Sequence, residues 1–216
     1  MVDRAVRPSP LALVVLALLA EIPMHPYRMQ QLIKERGKDT VVNVTARNSL
    51  HQVIDRLRRA GLVEIHTREQ ASNRPTRTVY QITDLGRSTG HAWERAMLAT
   101  PASEFPEFPA ALACIPIFLF PGEARDALAQ RAETLQTELA RRERAAAQAA
   151  ALPRLLLLED EYKRAILSSE LDWVRILVTD LDTSTVQWDQ NWVDCQMERA
   201  GHPATPPRSS RQHHPR

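Results

Sequence analysis

The chain has 216 residues, of which 44% are hydrophobic and 25% are charged, and its formal net charge at neutral pH is +2. Its two cysteines are too few for a disulfide framework, and it has only six glycines and no P-loop, GxSxG, HExxH or dinucleotide-binding turn. We therefore expect no catalytic site, no metal and no cofactor, in a chain long enough for one domain of about 90 residues and another of about 100.

The charge is distributed unevenly between the two halves of the chain. Residues 1–100 contain 15 Lys and Arg against 9 Asp and Glu, a net charge of +6, whereas residues 101–216 contain 13 against 17, a net charge of −4. An excess of positive charge in one domain favours a polyanionic partner such as nucleic acid. We therefore expect nucleic acid to contact the first half, and the acidic half to form a partner or effector domain.

The first predicted element is a helix that is apolar on almost every side. Ser9 is a favourable N-cap, Pro10 suits the first helical position, and residues 11–20 are all leucine, alanine or valine. Such a helix is typical of the centre of a small core. Arg4 and Arg7 before an apolar run also fit a secretory signal peptide. However, no convincing cleavage site follows, and the run is shorter than the roughly 20 residues that span a bilayer.

A second helix is predicted after a proline-containing turn. Pro26 suits its first position, and the helical pattern continues to about Arg36. Met29, Leu32 and Ile33 are spaced to give this helix one buried side. Together with the first helix, it supplies the part of a winged helix-turn-helix that precedes the recognition helix.

Residues 43–61 are predicted to form the recognition helix. Four apolar residues recur on one side at i, i+3, i+4 and i+7 from Leu50, Thr45 suits the N-cap, and Gly61 is expected to end the helix. The other sides carry polar groups whose hydrogen-bonding geometry suits base edges and phosphates. An ordinary amphipathic helix with a solvated face would show the same pattern. The expected DNA contacts on this helix are Thr45, Arg47, Asn48, Ser49, His51, Gln52 and Arg56.

A hairpin is predicted after the recognition helix. Residues 62–67 and 78–82 have the composition of strands, and the loop between them is rich in turn formers and arginine. Such a wing can lay Arg74 and Arg77 along a phosphate backbone or into the minor groove, although a solvated hairpin tip would have a similar composition. Thr83 is predicted to cap a fourth helix. The order of helix, wing and cap makes a winged helix-turn-helix the specific prediction.

Several blocks of this sequence form a recognisable set that spans roughly residues 10–195. They are MHPY at 24–27, RNSLH at 47–51, RLxxxGLV at 56–63, YQITDLGR at 80–87, and the segments 104–112 and 152–162. These blocks resemble the PadR family of bacterial transcriptional regulators, the last two its helical C-terminal domain. The resemblance implies a homodimer that binds double-stranded operator DNA, usually as a repressor, and releases it when a small molecule or stress signal arrives. The operator is expected to be palindromic, and Tyr27 at the start of the second helix joins the expected DNA contacts.

The recognition helix departs from the family pattern at two positions. Where the family usually has Gly-Ser-Leu-Tyr, this chain has Asn48, Ser49, Leu50 and His51. His51 retains a group that can contact a phosphate, but with a different reach and pH dependence. Asn48 adds a side chain that we expect to contact a base. Asn48→Gly should therefore change the operator that the protein selects from random DNA.

The second half of the chain is predicted to be helical and to form the dimer. A helix over 122–151 has a narrow apolar stripe typical of packing against a partner helix, Pro153 ends it, and a helix over 155–181 has one broad apolar side. The small winged domain alone cannot bury both faces, which favours dimerisation over a self-contained helical bundle in a monomer. The expected dimer contacts are Leu128, Leu135, Leu139, Tyr162, Ile166 and Trp173.

Three tryptophans are candidates for the wall of an effector pocket. Trp188 and Trp192 fall in a third predicted helix over 185–201, and Trp93 lies in the fourth helix of the first half. Apolar pockets with a few polar groups suit small aromatic ligands. Such side chains are more often core or interface residues, and the sequence leaves both interpretations open.

The expected fold is mainly α with a small β-hairpin wing. A winged helix-turn-helix domain over 1–100 is followed by a helical dimerisation and effector domain over 101–202 and a disordered basic tail over 203–216. Cys114, in an apolar run, is expected to be a packed core residue rather than a redox sensor. With no membrane-spanning segment, the protein is expected in the cytoplasm on the nucleoid. The alternative function is a winged-helix scaffold for protein partners, without specific DNA recognition.

Overall fold

The computed structural model describes residues 7–42, 47–69, 77–101 and 105–199, with only the backbone of Thr40, Arg47, Asn48 and Glu69. The chain divides into two compact units, an N-terminal unit of residues 1–103 and a C-terminal unit of residues 104–216. Over the described ranges it is mainly helical, with one two-stranded antiparallel sheet. The predicted fold class is therefore confirmed. None of the described helices combines the length and the apolar character needed to cross a membrane.

The described part of the N-terminal unit contains four α-helices and a hairpin. A single 3-10 turn, Lys38–Thr40, follows the second helix, and the predicted N-cap of the third helix, Thr45, lies outside the described residues. In chain order the elements are α1 (Pro10–Glu21), α2 (Pro26–Glu35), α3 (Arg47–Arg59), β1 (Val63–Glu69), β2 (Arg77–Ile82) and α4 (Asp84–Ala99).

Side-chain caps and prolines define where three of these helices begin. Ser9 Oγ accepts a backbone N–H from the first turn of α1 at 3.3 Å, and Thr83 Oγ1 accepts one from the first turn of α4 at 3.0 Å. Both predicted caps are therefore confirmed. The start of α2 at Pro26 is also confirmed, and His25 caps this helix through Nδ1, which accepts a backbone N–H at 3.1 Å.

A glycine ends α3 and directs the chain into the hairpin. Gly61 has a φ of +71°, in the left-handed region that glycine adopts without a steric penalty. Its N–H donates to the Arg58 carbonyl at 3.0 Å, and the Leu62 N–H donates to the Leu57 carbonyl at 3.0 Å. This pair of bonds is a Schellman motif, and it confirms that Gly61 ends this helix, as predicted.

The hairpin is joined to the turn between α1 and α2. Val63 lies opposite Ile82 at the base of the hairpin. Met24 and Tyr80 then exchange backbone hydrogen bonds of 3.0 and 3.1 Å, which adds one isolated bridge to the outer side of β2. The wing is therefore anchored to the helical part of the unit through its backbone as well as through its core side chains.

The core of the N-terminal unit is built around α1, as its apolar sequence predicted. Every element from α1 to β1 except the 3-10 turn contributes at least one side chain that is fully or almost fully buried. The largest of these are Val15, Leu16, Leu19, Met29, Ile33, Ile54, Leu57 and Val63. Helix α3 is therefore held on the core by one side only.

Two glycines of α4 differ in the space available for a side chain. A Cβ on Gly86 would overlap the backbone carbonyl oxygen of Leu62, whereas a Cβ on Gly90 would meet only the Leu16 side chain, at 3.7 Å. Gly86→Ala should therefore lower the free energy of unfolding by about 1–3 kcal/mol, because backbone must move. Gly90→Ala should raise it by up to about 1 kcal/mol, because alanine is the better helix former. Urea unfolding followed by circular dichroism checks both, and equal midpoints would contradict the close packing at Gly86.

The described part of the C-terminal unit is helical throughout. The predicted helices over 122–151 and 155–181 are present with small shifts of their ends, and the third begins five residues later than predicted, at Gln190. The first helix of this unit, which contains Pro116, was not predicted as a separate element, although 104–112 was matched to a helical domain. The elements are α5 (Glu107–Phe118), α6 (Pro121–Gln148), the 3-10 turn Arg154–Leu156, α7 (Leu158–Asp182) and α8 (Gln190–Arg199).

Helices α6 and α7 pack side by side in antiparallel directions, and ion pairs mark their alignment. Arg125 near the start of α6 bonds Asp182 at the end of α7 at 2.9 Å, and Arg142 near the end of α6 bonds Asp160 at the start of α7 at 3.0 Å. Arg142 also contacts Glu138. Hydrogen bonds from Arg141, helped by the charge of Arg142, lower the pKa of Glu138 to about 2.

The position of the α6 stripe corrects the expected dimer contacts. Leu128 and Leu135 are buried against Leu171, Val174 and Leu181 of α7 in the same chain, and Leu139 packs against this cluster. The prediction that Leu128 and Leu135 join two chains is therefore wrong, and Leu139 is partly used by the same cluster within the chain. The stripe does face a partner helix, but the partner is the next helix of the same chain.

The structure also corrects the expectation for the cysteine of α5. Helix α5 contacts the α6–α7 pair through Phe108 and Leu112, and none of its residues is fully buried. Cys114 is exposed, as is Cys195. Because α5 touches the core along one side only, its apolar sequence does not place every residue inside.

Candidate functional site

Helix α3 has one buried side and one open polar side. Leu50 and Ile54 are almost fully buried and fix the helix on the core, whereas His51 and Gln52 are exposed and Ser49 is half buried. The predicted apolar stripe is therefore present. The imidazole and the amide stand on a rigid helix and are open to solvent, which is the arrangement that contact with base edges requires.

Four predicted contacts cannot be placed with their side chains. The first turn of α3 contains Arg47 and Asn48, for which only the backbone is described. Thr45 and Arg74 lie outside the described residues. Their roles stay predictions from the sequence.

Arg56 does not belong with the outward-facing side chains. Its Nη2 donates to Ser9 Oγ at 3.0 Å, and its Nε is buried without a hydrogen-bond partner. The guanidinium is thus held inside the N-terminal unit, where it links α3 to the cap of α1. Arg56 is accordingly removed from the expected DNA contacts, since moving it to a phosphate would break this link.

Two arginines at the end of α3 were not among the predicted contacts. Arg58 and Arg59 are both exposed, and Arg59 Nε donates to the Asp55 carbonyl at 3.3 Å. Cationic side chains in the last turn suit the helix dipole and can also approach phosphates. The run of three arginines between positions 56 and 59 is the signal that could have identified them.

The start of α2 presents an aromatic pair at the surface. Tyr27 is 62% exposed, and its ring stacks beside that of His25 with the centroids 6.2 Å apart. The neighbouring Arg28 donates to both carboxylate oxygens of Glu35 at 3.1 Å. The phenol of Tyr27 is therefore open to a phosphate, while the adjacent guanidinium is already paired along its own helix.

The wing carries exposed arginines on both strands. Arg77 begins β2 opposite Glu69, and Arg68 on β1 lies opposite the next residue, Thr78. The side chains of Arg68 and Arg77 are both exposed. The register therefore places two cations on adjacent strands at the end of the hairpin farthest from the core, where a phosphate backbone could approach them.

Two of the three tryptophans proposed for an effector pocket line one cavity. Trp188 and Trp192, together with Gln187 and Asp189, line a cavity of about 270 Å³ in the C-terminal unit that is open to solvent. Trp93 is not among the lining residues, because it is half buried against the core of the N-terminal unit. The predicted set is therefore reduced to two aromatic residues.

Helix α7 has two apolar stripes instead of the one broad side that was predicted. The inner stripe packs against α6, and Leu177 and Leu181, predicted on the same side as Tyr162, belong to this packed region. The second stripe, here called the outer stripe, repeats with heptad spacing and is between 47% and 68% exposed. The outer stripe consists of Tyr162, Ile166, Trp173 and Ile176.

Comparison with known proteins relates both units to one group of solved structures. The fold resembles Bacillus subtilis PadR in complex with operator DNA, with a TM-score of 0.62 at 15% identity over 79% of this chain and 98% of that chain. The same protein in complex with p-coumaric acid gives a TM-score of 0.65 at 16% identity over 81% and 99%. The Vibrio cholerae virulence activator AphA gives a TM-score of 0.58 at 19% identity over 81% and 99%. No curated protein sequence matches the chain.

A family match covers most of the N-terminal unit. Residues 15–92, from the middle of α1 into α4, match the family described as the transcriptional regulator PadR-like family. The solved structures share the fold at low sequence identity, and they extend the likeness to about four-fifths of the chain. The sequence match therefore relates residues 15–92 to PadR-like transcriptional regulators, and the remainder of the chain resembles the solved structures in fold.

Proposed function

We propose that this protein is a homodimeric, sequence-specific DNA-binding repressor that a small-molecule or stress signal releases from its operator. The open polar side of α3 carries this proposal, because His51 and Gln52 are exposed on a helix whose other side is fixed by the core. A helix with this arrangement, followed by a basic wing, suits insertion into the major groove. Bacillus subtilis PadR, which shares the fold, has been solved with operator DNA.

The proposed contacts divide into those that recognise sequence and those that position the protein. The amide of Gln52 can donate and accept at the edge of an adenine, which distinguishes it from other bases. Arg77 on the wing offers a guanidinium that contacts phosphates whatever the sequence. The remaining contacts of the proposed surface are Tyr27, Thr45, Arg47, Asn48, Ser49, His51 and Arg74.

Replacing Gln52 and Arg77 separately tests this division. Gln52→Ala should relax the preference at one base pair and cost about 1–3 kcal/mol there, with little change on random DNA. Arg77→Ala should weaken binding to every sequence. It should also reduce, by about one, the magnitude of the slope of the logarithm of the binding constant against the logarithm of the salt concentration. Titrations of labelled duplexes over a range of salt concentrations measure both effects. Arg144→Ala, at an exposed arginine of α6, is the matched control for loss of one positive charge. If Gln52→Ala and Arg77→Ala lose equal affinity on specific and on random DNA, the proposed division between sequence recognition and positioning is contradicted.

The outer stripe of α7 supports the dimer in this proposal. Four large apolar side chains with heptad spacing lie on one line, and the opposite side of the same helix is already occupied by α6. A second copy of the chain can cover such a stripe with the same stripe about a two-fold axis. The dimer would hold two α3 helices, and the operator would therefore be palindromic.

The signal and the direction of regulation belong to the same proposal. One solved relative is a complex with p-coumaric acid, and another is described as a virulence activator. We assign repression here because a dimer that occupies a promoter blocks it without needing any further surface. The cavity at Trp188 and Trp192 is the proposed receptor of the signal in this chain.

A further inference from the structure

We propose that the cavity lined by Gln187, Trp188, Asp189 and Trp192 binds a small planar organic cation. The inference names the ligand class for the signal site, and in that respect it rests on the proposed function. Three features support it: the fixed position of one indole, the exposure of the other, and the sign of the charge around them.

The two indoles form ready-made walls of the cavity. Trp188 Nε1 donates to the Leu119 carbonyl at 2.9 Å and its ring packs against the core, so this wall is fixed before a ligand arrives. Trp192, in the first turn of α8, is 48% exposed. An aromatic ring that enters between or beside them gains stacking area, and a cation gains attraction to the indole faces.

The charge in the described lining of the cavity is negative. Asp189 is the one charged side chain among the four described lining residues, and its Oδ1 accepts the backbone N–H of Trp192 at 2.7 Å, which fixes the position of the carboxylate. This carboxylate attracts a cation and opposes a carboxylic acid such as a phenolic acid.

The size of the cavity limits the ligand further. At about 270 Å³ it falls just below the usual range of about 300–1,000 Å³ for drug-sized ligands. A ligand of two fused rings with a permanent positive charge fits these dimensions and the chemistry of the walls.

Calorimetric titration of the full-length protein with 1-methylquinolinium, beside 2-naphthoate as an anion of similar shape, tests the proposal. The cation should bind saturably at one site per chain, and the anion should bind at least about tenfold more weakly. Trp192→Leu should weaken cation binding by about tenfold. Equal affinity for the two probes, or no binding of the cation, would overturn the proposal.

Two variants that each remove one negative charge distinguish a direct effect of the Asp189 carboxylate on cation binding from an effect on the structure of α8. Asp189→Asn removes the charge but keeps a residue that is a good N-cap. It should weaken cation binding by about fivefold and reduce the ratio of the affinity for the cation to the affinity for the anion. Asp194→Asn removes a charge from the same helix but not from the lining, and it should have a smaller effect. Equal losses in these two variants would overturn the assignment of Asp189.

The DNA affinity of the same samples distinguishes this inference from the proposed function. If the cation binds and the operator is released, the cavity is the receptor of the signal. If the cation binds with unchanged DNA affinity, the role of this ligand as the signal is overturned. Loss of specific DNA binding by the unmodified protein would instead overturn the proposed function, and the calorimetry would be unaffected.

Discussion

Replacing Leu57 with alanine should lower the free energy of unfolding of the N-terminal unit by about 2–5 kcal/mol. Leu57 of α3 is fully buried in the core, so truncation removes its contacts and leaves a cavity that surrounding side chains fill only in part. Urea unfolding followed by circular dichroism measures the change. Leu57 fixes the side of α3 opposite the polar face. We therefore also expect the variant to lose DNA affinity at urea concentrations near its unfolding midpoint, because α3 is then no longer held on the core.

Leu98→Ala in α4 is the matched control for this prediction. Leu98 is 83% exposed, and the same truncation there should change the free energy of unfolding by less than about 0.5 kcal/mol. A loss below 1 kcal/mol for Leu57→Ala, or equal losses for the two variants, would contradict the packing of α3 on α1 and α2.

Ile176→Glu should convert the proposed dimer into a monomer. Ile176 lies in the outer stripe of α7 and is 62% exposed in the single chain, so a second copy is the proposed cover for it. A charge buried at this position should cost about 2 kcal/mol in each copy. The two copies together would raise the dimer dissociation constant roughly a thousandfold. Sedimentation velocity at low micromolar concentration measures the resulting change of mass.

Thr179→Glu places the same charge one turn further along α7, outside the outer stripe, at an exposed residue. This variant should remain dimeric. Ile176→Glu should also bind a palindromic operator more weakly, because two half-sites are no longer held by one molecule. If Ile176→Glu remains dimeric, the dimer uses another surface and the role of the outer stripe is wrong.

The features that the sequence predicted are those that depend on neighbouring residues. The caps Ser9 and Thr83 and the terminating Gly61 act within four or five residues of their own positions. Each could therefore be recognised from residue type and spacing. The exposed and buried sides of α3 follow from the 3.6-residue period in the same way, which is why His51 and Gln52 were correctly expected to face outward.

The features that the sequence did not predict depend on distant residues. Arg56 was expected to contact DNA, but its guanidinium binds Ser9, 47 residues away in the chain. The stripe at Leu128 and Leu135 was correctly identified as apolar, yet periodicity does not say which helix covers it. Cys114 lies in an apolar run on a helix that meets the core on one side only, and composition does not say which side that is.

Selection of binding sites from random-sequence duplexes, followed by titration of the selected site and a scrambled copy at about 150 mM salt, tests the central claim most directly. The proposal predicts a palindromic consensus that binds at least about a thousandfold more tightly than the scrambled duplex. Absence of a consensus, with equal and weak binding to both duplexes that disappears as salt rises, would contradict it. That outcome would favour a winged-helix scaffold for protein partners.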